Sequence, residues 1–184
     1  MLRRALSASA VRRGSKAAVA LIGPLVDSSR SRLNGIPDIA WLDPYLVGFM
    51  VMLITIVAKR EVARLQDEAL CSVQSQAWSE ITGLRTELIG EEALLLSSAR
   101  HQQFELGRQR ALALGLHLYG GAAHAVLQND AWPGGIVPFP AQMLDSGESV
   151  STAEQIDRRD AMLALWSDTF DAYIAQLPLA MPRQ

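Results

Sequence analysis

The chain has 184 residues, of which 49% are apolar and 20% charged, with a formal net charge of −2 at pH 7. That is enough for one globular domain with a sizeable core; it excludes a chain too polar to fold, and it leaves no surplus of positive charge to recruit a nucleic acid. The single cysteine, Cys71, excludes an intramolecular disulfide and a cysteine-based zinc cluster, and a reducing, cytoplasmic setting fits it.

Residues 1–26 contain Arg3, Arg4, Arg12, Arg13 and Lys16 and no acid; the first carboxylate is Asp27. A mitochondrial presequence, an export signal and a basic amphipathic arm lying on the domain or on an anionic membrane surface all share this composition. Export is the weakest of the three. Pro24 interrupts the apolar run 17–26, no A-x-A cleavage site follows it, and Gly14-Ser15-Lys16 after the paired arginines does not suit a twin-arginine signal. Residues 28–37, SSRSRLNGIP, are rich in turn formers. Residues 1–36 are therefore set apart as an arm or targeting segment, and residues 37–184 as a helical domain.

The next stretch, WLDPYLVGFMVMLITIVA at 41–58, is the most apolar of the chain. Asp43 is a good N-cap and Pro44 suits the first helical position, so a helix starts there and runs past Lys59 and Arg60. No side chain from Tyr45 to Ala58 is charged. A helix without a polar face must be buried on all sides, in a protein core or in lipid. Its 18 residues span about 27 Å, and the uninterrupted 14 only about 21 Å, against roughly 30 Å for a hydrocarbon core. Trp41 and Tyr45 at one end and Lys59, Arg60 and Arg64 at the other imitate membrane anchors, but Arg30 and Arg32 on the opposite side blur the orientation signal. A core helix is the expectation, with peripheral membrane contact permitted; a single-pass anchor is the alternative.

Beyond Lys59, Val62, Leu65, Leu70, Val73 and Ile81 alternate with charged and amide residues in an amphipathic pattern, either continuous to Ser79 or broken near Asp67. Gly83 and Gly90 bracket a connection. Glu91 and Glu92 then open a helix that runs to about Leu106, where Gly107 kinks or ends it. Residues 108–127 continue helical, although Leu112, Leu114, Leu116 and Leu118 alternate as in a strand. Residues 129–150 hold three prolines and cannot be regular helix; Trp132 and Phe139 in this loop form either a partner-facing aromatic patch or a cover for the helices. Ser151 and Glu154 make a capping box. The last helix carries Ile156, Leu163, Trp166, Phe170, Tyr173 and Leu177 on one face, opposite Asp157, Asp160, Asp168 and Asp171. These faces, with Leu94 to Leu96 and Leu112 to Leu118, are expected to cover the central helix. The fold class is all-α, a single domain of five or six helices around one fully apolar helix.

Phosphate-binding glycine loops, the nucleophile elbow, H-E-x-x-H and E-x-x-H pairs are all absent from the sequence, so no cofactor or metal is implied. His101 with Glu105, and His117 with His124, lie at helical spacings that could line a ligand or acid/base pocket together with Glu91 or Glu92. Read plainly, they are a surface pair and two packing residues. Cys71 reads as a small buried hydrophobe. The function expected is a non-catalytic interaction or scaffold protein that meets a protein partner or a second copy of itself, and a His/Glu-lined enzyme or binding domain is the competing reading.

Overall fold

The computed structural model describes residues 2–62, 65–85, 89–119 and 160–178, with side chains from Ala8 onward. Among them are six α-helices and no strand: α1 Leu2–Arg32, α2 Pro44–Glu61, α3 Asp67–Thr82, α4 Ile89–Ser98, α5 Gln102–Tyr119 and α6 over 160–176. A 3-10 turn, Asp38–Leu42, leads into α2. The chain is an all-α single domain.

Helix α2 is the centre. Asp43 caps it by accepting from the Tyr45 N–H at 2.8 Å, Pro44 follows, and every residue from Tyr45 to Ala58 is buried. Helices α1, α3, α4 and α5 pack around it, and α6 meets it through aromatic side chains. Its few polar groups find protein partners, as burial demands. Thr55 Oγ1 donates to the Val51 carbonyl at 2.7 Å and accepts from Gln74 Nε2 at 2.9 Å, and the Tyr45 hydroxyl donates to the Thr169 carbonyl at 3.0 Å. Among the described residues, no helix is long and apolar enough to cross a membrane.

The N-terminal segment is one long helix, where the sequence suggests an arm ending in turn residues. It continues through Pro24 to Arg32 and ends at Asn34 and Gly35, whose φ values are 55° and 106°. The serines that resembled a turn lie within the helix and bond along it instead. Ser29 and Ser31 hydroxyls donate to the Leu25 and Asp27 carbonyls one turn back, and Ser28 accepts from Arg32. Ala18, Ile22 and Val26 are fully buried in the common core, and Gly14 lies against Val73 of α3 and Ala58 of α2.

Helix α2 runs past Lys59 and Arg60 and stops at Glu61; Val62 and Gln66 are extended and α3 begins at Asp67, so of the two alternatives the break near Asp67 is the one found. Two further features differ from expectation. The break after α4 falls at Arg100, in the left-handed region with φ 51°, so Gly107 is interior to α5 and does not end it. In α6, a π turn at Ser167–Asp171 inserts an extra residue and rotates the last turn of the helix relative to the first. Trp166 and Phe170 are fully buried as expected, but Thr169, Asp171 and Ile174 join them, while Leu163 is exposed. Asp171, expected on the polar face, is therefore inside. The Ser151–Glu154 capping box and the 129–150 loop lie outside the described residues.

Candidate functional site

Of the polar residues proposed from sequence, the described histidines, His101 and His117, are not gathered in one place. His101 and His117 are both exposed and sit just before α5 and on it, sixteen residues apart, which is about 24 Å along a helix. His101 stands immediately before the first turn, with its carbonyl accepting from Glu105 N–H at 3.0 Å; the His117 Nδ1 is 2.9 Å from the Ala113 carbonyl. Glu105 turns to Arg108, which donates to both its oxygens at 2.8 and 2.9 Å. No pocket can hold both histidines. His124, Trp132 and Phe139 lie outside the described residues. Among the described residues, no cluster of His, Cys, Asp and Glu could hold a metal ion.

The other buried or half-buried charges join helices together. Arg30 donates to the Ile81 and Thr82 carbonyls at 2.9 and 3.0 Å, tying the end of α1 to the C-terminus of α3, where carbonyls lack helical partners. Arg32 donates through Nε, at 2.8 Å, and Nη2, at 2.6 Å, to one oxygen of buried Asp171, joining α1 to α6. Beside this pair, Trp166 Nε1 donates to Ser29 Oγ at 2.9 Å. The Tyr173 hydroxyl donates to Asp43 at 2.9 Å, on the carboxylate oxygen that also caps α2. Burial raises the ionisation of Tyr45, Tyr119 and Tyr173 above the ordinary phenol range, and for Tyr173 the hydrogen bond to Asp43 adds to it. All three phenols are therefore neutral at physiological pH, and those of Tyr45 and Tyr173 serve as donors.

Two surface features are not visible in the sequence. Leu94 and Leu95 on α4 were expected to cover α2, yet they are 56% and 69% exposed, and only Leu96 of that trio packs against the core. The reason lies in the phase of a short helix: α4 turns Ile89, Ala93 and Ser97 inward, at i, i+4 and i+8, and the intervening leucines outward. Cys71, expected to be buried, is exposed, because α3 directs Leu70, Val73 and Ala77 into the core. The second feature is a cavity of about 320 Å³ between α1, α2 and α5, lined by Ala17, Ala20, Leu21, Val57, Arg60, Glu61 and Tyr119. The guanidinium of Arg60 lies 6.0 Å over the Tyr119 ring there. No adjacency in sequence announces that cavity. Comparison with models of known families, with curated proteins and with solved structures yields no match to this chain.

Proposed function

We propose that this chain is a non-catalytic helical interaction or scaffold protein whose contact face includes the Leu94–Leu95 step of α4. The observation that carries this reading is that two consecutive leucines each expose more than half of their surface on a helix whose opposite face is buried. Single exposed leucines are ordinary; an adjacent pair on an ordered helix offers a partner apolar area to bury. Arg30, Arg32, Asp43 and Asp171 support it from the other side, since they cap helices or join them and none of the four lines the cavity between α1, α2 and α5. The partner is a protein surface or a second copy of the chain, and a cytoplasmic setting fits.

A photo-crosslinking amino acid at position 95, with one at exposed Gln103 as control, tests this in the cell. A discrete crosslinked species from position 95 only is expected, and twice the chain mass would identify the partner as a second copy. No species from position 95, or the same species from both, removes the proposal.

A further inference from the structure

We propose that the outward face of α1 around Arg12, Arg13 and Lys16, together with the adjoining cavity between α1, α2 and α5, docks on a phospholipid bilayer carrying anionic headgroups. This rests on observations other than the leucine pair of α4 and does not depend on it.

The first observation is how charge is distributed. The first 26 residues hold five of the 17 Lys and Arg and none of the 19 Asp and Glu, so the remainder carries twelve basic against nineteen acidic residues. A chain of small net negative charge thus keeps one wholly basic segment, and that segment is part of an ordered helix. The second is the helix phase. Val11, Gly14, Ser15, Ala18 and Ile22 face inward, which leaves Arg12, Arg13 and Lys16 side by side on the opposite face, all exposed. The third is the cavity. Arg13 and Lys16 stand one turn before Ala17 and Ala20, which line it, so the cationic stripe borders a recess with Leu21 and Val57 in its wall and, at its edge, Arg60 over Tyr119 with Glu61 beside them, one carboxylate against the four cations of the stripe and rim. Cationic side chains beside an apolar recess suit a lipid, whose phosphate and acyl chain they would meet respectively.

The same stripe is less suited to a nucleic acid. Three basic residues offer a polyanion few phosphate contacts and the apolar recess would give it nothing, whereas a planar membrane can be met by one face alone. The bilayer is contacted from its surface, since no described helix is long and apolar enough to cross it.

Co-sedimentation of the full chain with vesicles of phosphatidylcholine containing about one third phosphatidylglycerol tests the proposal. Binding is expected to these vesicles and not to pure phosphatidylcholine. It should weaken steeply between about 0.1 M and about 1 M salt, as the screening length falls from about 10 Å to about 3 Å. Each neutralised charge should cost about five-fold in affinity, so R12Q/R13Q/K16Q should lose roughly 100-fold. These three side chains are exposed, and an unchanged helical spectrum and melting temperature will show that the variant folds. The Ala20→Trp variant reports on the recess from an exposed position, and its added emission should be quenched by phosphatidylglycerol with brominated acyl chains. Equal binding to pure phosphatidylcholine, full binding by the triple variant, no quenching of the emission added at position 20, or tighter binding to a short single-stranded RNA at the same salt would each overturn the proposal.

Discussion

Helix α2 is packed on two sides by opposite means, and the contrast explains much of this fold. Against α5 the contact is made by what is missing: Gly48 lies under the Phe104 backbone, and Gly107 lies under the Tyr45 carbonyl and the Phe49 N–H, so the two main chains touch where any Cβ would collide. Ala111 and Gly115 continue the small-residue line at i+4 and i+8 of α5, with Ile56 lying over Gly115. Against α6 the contact is made by bulk. Phe49 meets Trp166 edge-on at 5.7 Å, Trp166 stacks on Phe170 at 4.5 Å, and Tyr45 stacks on Tyr173 at 3.9 Å. The aromatic side also brings polar handles, namely the Tyr45 hydroxyl on the Thr169 carbonyl, Trp166 on Ser29 and Tyr173 on Asp43. Close backbone approach specifies position because it tolerates no added atom. An aromatic cluster specifies position through the few hydrogen bonds at its edges.

The largest effect expected is on the aromatic side. Trp166→Ala removes a fully buried indole and takes its N–H donor from Ser29, and should destabilise the fold by about 3–5 kcal/mol in denaturant unfolding. A loss below about 1 kcal/mol would show that α6 is an appendage to the core.

The glycine side gives a finer test, because two substitutions of identical size should differ. At Gly107→Ala the new methyl meets main chain that cannot yield unless the helices separate, and about 3 kcal/mol is expected. At Gly115→Ala it meets Ile56 Cδ1 at 2.8 Å, the far end of a side chain that can rotate away, and the cost should stay below about 1.5 kcal/mol. Equal costs would show that the α2–α5 crossing is not held by backbone contact.

Arg32→Met should cost about 2 kcal/mol, because it leaves the Asp171 carboxylate buried without its partner. That figure is below the range for a fully buried pair, since the Arg32 side chain is 46% exposed. Restoring stability with Asp171→Leu in the same chain would show that the cost was the unpaired charge and not lost packing.

The smallest effect is on alkaline stability. The phenols of Tyr45, Tyr119 and Tyr173 ionise at higher pH in the folded chain than in the unfolded one, so the folded state holds their protons more tightly. Their contribution is fully present below the unfolded value of about 10 and is lost as pH rises above it. Ultraviolet titration should show these phenols ionising above the ordinary phenol range, together with unfolding, and Tyr173→Phe should reduce that alkaline dependence. Free ionisation of all three tyrosines near pH 10 in the folded chain would contradict their burial.

The sequence by itself determined the helical class, the start of α2 at Asp43–Pro44, its burial on every side, and the inward Trp166 and Phe170 of α6. Each of these is local: a cap, a proline, an uncharged run, a helical period. Only the tertiary structure decided which partners each helix would meet. Gly107 reads in sequence as a helix breaker, but its role is to admit the neighbouring backbone, and nothing near it in the chain names that neighbour. The serines before Asn34 read as turn formers, yet α1 continues through them because Trp166 and Asp171, more than 130 residues later, hold Ser29 and Arg32 in place. Leu94 and Leu95 read as core because they are leucines, and they face solvent because the short α4 has room for one buried face and Ile89, Ala93 and Ser97 occupy it. His101 and His117 stand apart for the corresponding reason. Spacing can align His101 with Glu105 one turn apart, but no local rule brings side chains sixteen residues apart on one straight helix to a common point.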